Sequence, residues 1–86
     1  MSVCKYKKKP IEVDVLYFDG ENSDELRQFV GEENLGYTYG DPKFCIRTLE
    51  GNMFFDADTY VIRGVEGEFY PCAKNIFEKT YELVTT

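Results

Sequence analysis

The sequence predicts an α+β fold: one mostly antiparallel, strongly curled β-sheet packed by a short α-helix, with a second helical turn near the C-terminus. Three patterns lead there. Ile11, Val13, Val15 and Tyr17 alternate with Glu12, Asp14 and Leu16, the period of a strand with one wet face. Leu26, Phe29 and Val30 recur at i, i+3 and i+4, the period of a helix with one apolar face. From Leu35 onward, short β-forming runs are separated by glycine-bearing turns.

The elements follow in order. Pro10 suits the start of a strand over Ile11–Phe18, where its missing N–H costs least. Asp19–Gly20 turns the chain into a helix over Ser23–Val30. Asn22 and Ser23 are candidate N-caps, Asn22 with Glu25 resembles a capping box, and Gly31 is placed to end the helix. Tyr37 and Tyr39, between Gly36 and Gly40, read as a short strand or an aromatic loop, and Asp41–Pro42 breaks the chain again. Phe44–Leu49 and Asn52–Ala57 form a hairpin about Glu50–Gly51. Thr59–Arg63 is the next strand, Val65–Tyr70 contains a turn at Glu66–Gly67, and Pro71 is expected to close that segment. Asn75–Lys79 is long enough for a helical turn capped by Asn75, and Tyr81–Val84 offers a last strand.

A chain of 86 residues has material for one core, so residues 10–86 are expected to form a single domain behind a basic tail at residues 1–9. That tail carries Lys5, Lys7, Lys8 and Lys9, which leaves −10 on the remainder of a chain whose net charge is −6. Residues 12–33 alone hold eight acids against Arg27. Such a body repels duplex DNA, so duplex DNA is not an expected partner. No apolar run of membrane-spanning length is present, nor one that would follow a basic signal-peptide start, so no membrane partner is expected either. Three widely spaced cysteines, Cys4, Cys45 and Cys72, suit a reducing cytoplasm with free thiols.

The strongest exclusion is chemical. With no histidine, the chain cannot form a Ser-His-Asp or Cys-His pairing or a histidine zinc site, and its scattered cysteines make no ordinary four-cysteine site. No phosphate-cradling glycine loop or dinucleotide fingerprint is present. No cofactor, metal or catalytic residue is therefore expected, although carboxylates alone do serve glycosidases.

The candidate residues are those able to bind. Arg47 and Arg63 present planar forks suited to carboxylate or phosphate; with Tyr or Phe rings beside them they would suit a nucleotide. The simpler reading is a cross-strand ion pair with Glu50, Asp56 or Glu68. Tyr37–Thr38–Tyr39 reads as an aromatic lip over a ligand, as a self-association surface, or as plain packing. Tyr70 and Lys74 flank Cys72, whose thiol would need the Lys74 cation or the turn at Asn75 to become reactive; a small buried hydrophobe is the alternative. Asp56 and Asp58 share a face if their strand continues, and otherwise belong to a solvated turn. The acidic stretch over 12–33 reads either as a phosphate-backbone mimic or as an ordinary solvated face.

The run Tyr60-Val61-Ile62-Arg63-Gly64-Val65-Glu66-Gly67-Glu68-Phe69-Tyr70-Pro71-Cys72, followed by Ile76-Phe77-Glu78-Lys79-Thr80-Tyr81, resembles a family of small phage and prophage proteins of Gram-positive bacteria. The lysine-rich opening before Pro10 and the turn–strand element Thr48–Met53 are similar as well. Two turns depart from the family pattern, at Asp58–Thr59 and Ala73–Asn75. The resemblance implies a protein of the bacterial host cytoplasm and carries over no catalytic residue. The expectation is a non-enzymatic accessory protein that binds and sequesters or blocks a host component, either a nucleotide defence signal or a host defence protein. A homo-oligomer would build a pocket that so short a chain cannot enclose alone. The alternative is a structural or morphogenesis accessory acting only through protein contacts.

Overall fold

The computed structural model describes residues 3–7 and 9–84; Lys8 of the basic tail lies outside the described residues. The order is β1 (Asp14–Phe18), α1 (Ser23–Val30), β2 (Leu35–Tyr37), β3 (Phe44–Thr48), β4 (Gly51–Phe55), β5 (Thr59–Arg63), β6 (Phe69–Ala73) and α2 (Lys74–Thr80). The fold is α+β. In place of the single curled sheet expected, the strands form two antiparallel three-stranded sheets, β1-β5-β6 and β2-β3-β4. The division falls between β4 and β5. Asp58 there takes a positive φ of 59°, a conformation Asp tolerates better than most residues. It turns the chain so that β5 pairs with β1 rather than continuing beside β4.

Local chemistry accounts for the element ends. β1 begins at Asp14 rather than Ile11, because its partner strand β5 ends at Arg63 opposite Asp14. Beyond that point the chain enters the turn in which Gly64 N–H donates to Glu68 O at 2.7 Å. Helix α1 matches its expected range and closes at Gly31, whose φ of 88° favours glycine. Asn22 occupies the N-cap position but makes no side-chain cap. Its side chain turns back instead: Nδ2 donates to Tyr17 O at 2.8 Å and Oδ1 accepts from Asp19 N–H at 3.0 Å. Asp19 Oδ1 in turn accepts the N–H groups of Glu21 and Asn22. The capping-box geometry is therefore replaced by an interlocked Asp19–Asn22 turn.

Pro71 does not close its segment; it lies in the middle of β6, opposite Val61. β6 is an edge strand, the one place where a sheet tolerates a residue without an N–H. Helix α2 starts at Lys74 with Ala73 as its cap residue, so Asn75 is inside it. The expected strand at Tyr81–Val84 is irregular chain. Its sequence has strand character, but no strand lies beside it to complete a ladder.

Phe18, Leu26, Val30, Leu35, Phe44, Ile46, Phe55 and Val61 form one buried cluster fed by both sheets and α1. Phe18 meets Phe44 and Phe55 edge-on at centroid distances of 5.2 and 5.8 Å. Such T-shaped pairs each contribute about 0.5–1.5 kcal/mol beyond area burial. The opposite face of β1-β5-β6 carries Tyr17 and Tyr60, and α2 covers it through Phe77, stacked on Tyr60 at 3.9 Å.

Gly36 is the tightest approach within β2-β3-β4. It lies opposite Cys45, and a Cβ added there would sit 2.6 Å from Cys45 Sγ. The Gly36→Ala substitution should therefore cost about 1–3 kcal/mol in urea unfolding. Combining it with Cys45→Ala, which removes the clashing sulfur, should cost less than the sum of the two single changes; strict additivity would disprove the steric account.

Candidate functional site

The two arginines expected to hold a ligand are engaged by their own chain. Arg63 is in β5 and forms a cross-strand ion pair with Asp14 of β1, and its guanidinium lies 5.4 Å from the centre of the Phe29 ring. The cross-strand pairing is of the simpler kind anticipated, with Asp14 as the acid rather than Glu50, Asp56 or Glu68. Among the described residues, Arg47 makes no such pair. Its Nη1 donates toward the carbonyl oxygens of Glu32 and Glu33, at 3.5 and 3.3 Å, in the loop after α1. Its N–H donates to Asn34 O at 2.8 Å. Arg47 thus ties β3 to the helix exit, while Arg63 is held by Asp14.

Tyr37 and Tyr39 have different environments. Tyr37, at the end of β2, packs against Phe44 at 5.2 Å, and its hydroxyl accepts a hydrogen bond from Arg27 Nε. The Arg27 guanidinium lies 5.2 Å from the ring centre and is also 3.8 Å from Asp24. Arg27 was not singled out in the sequence, where nothing pairs a helix residue with a strand residue ten positions on. Tyr39 points free of the body, with a relative exposure of 111%. The loop bearing it is held at its base: Thr38 N–H donates to Lys43 O at 2.8 Å and Thr38 Oγ1 to Pro42 O at 2.6 Å. The Asp41–Pro42 peptide bond is cis. A ring exposed on a loop closed by hydrogen bonds would need little further ordering on binding.

A second cluster lies on the α2 side. Tyr17, Tyr60, Phe77 and Tyr81 form a continuous row of rings with successive centroids 4.9, 3.9 and 4.8 Å apart. The Tyr70 hydroxyl lies 3.5 Å from that of Tyr81, and Lys74 Nζ is 5.8 Å from the centre of the Tyr17 ring. The Tyr17 hydroxyl donates to Asp58 Oδ1. That bond, reinforced by burial and the Asp58 charge, pushes the Tyr17 phenol from 10.0 up to about 12. Burial, then the hydroxyl of Tyr81, pushes Tyr70 up to about 12. Tyr17 is the donor in its bond to Asp58, whereas either hydroxyl of the Tyr70–Tyr81 pair can donate. Beside them an open hollow of about 660 Å³ is lined by Asp58, Ala73, Lys74, Asn75, Glu78 and Lys79.

Cys72 lies in β6 opposite Tyr60, half-buried, rather than in a turn. Lys74 is engaged with the Tyr17 ring, and α2 is too short to provide a strong dipole. Asp56 and Asp58 do not share a strand face, because β4 ends at Phe55 and Asp58 is in the left-handed turn. Among the described residues, no three metal-ligating side chains come together, and no helix is long and apolar enough to cross a membrane. Tyr37, Tyr39, Arg47, Arg63, Tyr70 and Lys74 thus divide among separate surfaces. The chain matches no family model, no curated protein and no solved structure.

The Tyr17–Asp58 bond gives a pH signature. Because the folded Tyr17 pKa lies above the ordinary 10.0, its contribution to stability is present below that pH and is lost as pH rises toward about 12. An Asp58→Asn variant should bring the Tyr17 phenol back toward its ordinary value in an ultraviolet phenolate titration. Its stability should fall less steeply across that alkaline window. An unchanged titration curve would remove Asp58 as the cause.

Proposed function

We propose that this chain is a non-enzymatic phage accessory protein that blocks a host protein by binding to its surface, with Tyr39 and Tyr37 at the centre of the contact. The observation that carries this reading is the fully exposed Tyr39 on a loop closed by Thr38. Tyr is enriched at protein interfaces because it brings a large, stiff amphipathic ring at low entropic cost. Of the two kinds of host component, a protein is favoured over a nucleotide defence signal. The guanidinium groups that would hold phosphate are committed to Asp14 and to the carbonyls of Glu32 and Glu33. The resemblance of segment 60–81 to small phage proteins supports the setting, the cytoplasm of an infected bacterium. The absence of histidine from the sequence supports action by stoichiometric binding.

Native mass measurement of the protein recovered from infected host cells tests this. The expected result is a stoichiometric complex with a host protein, weakened at least about tenfold by Tyr39→Ala, a loss of about 1.4 kcal/mol typical of an interface anchor. The variant's melting temperature should stay at the wild-type value, because Tyr39 touches no core residue. A bound mass of nucleotide size would instead favour sequestration of a signal. Recovery in purified virions at fixed stoichiometry would move the assignment to morphogenesis.

A further inference from the structure

Four strand edges bound the two sheets, and they are unequally protected. β2 is only three residues long, β6 carries Pro71, and β1 begins with the charged Asp14. Short length, proline and charge are the ordinary means of blunting an edge. β4, Gly-Asn-Met-Phe-Phe, has none of them: it is five residues long, uncharged, and paired on one side only, with β3. Met53 and Phe54 are 42% and 51% exposed along it. The strand borders an apolar hollow of about 430 Å³ lined by Met53, Phe54, Phe55, Thr59, Pro71 and Ala73.

The surroundings of this edge are acidic. Glu50 precedes β4, Asp56 and Asp58 follow it, and no basic residue lies between positions 49 and 58. This charge pattern decides what can dock there. Two copies of β4 paired antiparallel about Met53 would set Glu50 against Asp56 at each end, two like-charge contacts that oppose the pairing. A basic extended segment has no such conflict, and the chain carries one. Residues 3–7 and 9–13 have neither helix nor strand, and Val3, Tyr6 and Ile11 on that segment are exposed. When extended, the segment sets Lys5, Lys7 and Lys9 on one face and Cys4, Tyr6 and Lys8 on the other. Fully extended, positions 3–13 reach about 36 Å, more than the roughly 17 Å of a five-residue edge.

We propose that the β4 edge of one copy receives the basic N-terminal segment of a second copy as an added strand. Tyr6 is directed to the apolar hollow and the lysines to Glu50 and Asp56. Main-chain hydrogen bonds supply the affinity of such strand addition, and the side chains supply its register. The site lies across the sheet from the Tyr39 loop, so it stands independently of the function proposed above.

Light scattering of the purified full chain tests it, with circular dichroism melting as the check on folding. The wild type should be dimeric at about 100 µM in about 0.1 M salt and should dissociate more readily at about 1 M salt, where the screening length falls to about 3 Å. Lys5→Glu/Lys7→Glu/Lys9→Glu, outside the buried core, should raise the dissociation constant at least about tenfold without altering the fold. Phe54→Lys, on the receiving edge, should do the same. A monomeric wild type, or a dimer left intact by either folded variant, overturns the proposal.

Discussion

The contact between Phe18 and the rings of Phe44 and Phe55 holds this small protein together. Phe18 is the last residue of β1; Phe44 opens β3 and Phe55 ends β4, so the three rings couple the two sheets at their strand ends. Leu26 and Val30 of α1 close the same cluster. The rings of α2 cover only the outer face of β1-β5-β6, and an isolated sheet of this size buries too little surface to persist in water. The ring contact provides the shared layer between the inner faces of both. Because it forms at the strand ends, the β4 edge and the β2–β3 loop remain outside it.

Arginine shows how far folding can draw on groups suited to function. Arg63 lies beside Phe29 and is neutralised by Asp14, so it joins α1 to β5 while its partner acid lies in β1. Arg47 holds the carbonyls of Glu32 and Glu33 in the loop after α1. Arg27 steadies Tyr37. Each performs structural work a lysine would do less well, because a planar fork engages two acceptors or an acid and a ring together. The arginines are thus taken up by the fold, while Tyr39 on its loop and Met53 and Phe54 on the β4 edge stay exposed.

Elements whose signals are local were legible. The α1 apolar face and its terminating Gly31, the hairpin around Glu50–Gly51, and the Thr59–Arg63 strand all follow from patterns confined to a few residues. Errors arose where the outcome depends on a distant partner. Ile11 continues the alternation of β1, yet β5 offers nothing opposite it beyond Arg63. Pro71 looks like a breaker until β6 is known to be an edge. The Tyr17–Asp58 bond joins residues 41 positions apart and has no trace in the sequence around either one.

The sequence by itself determined the α+β character, the separation of a basic segment from an acidic body, and the lack of imidazole chemistry. These depend on composition and short-range periodicity. Only the tertiary structure decided that there are two sheets, that the arginines are occupied, and that β4 is left open. Those outcomes turn on which strands meet, a choice made by the ring contacts of Phe18 and the left-handed turn at Asp58, neither of which is expressed in neighbouring residues.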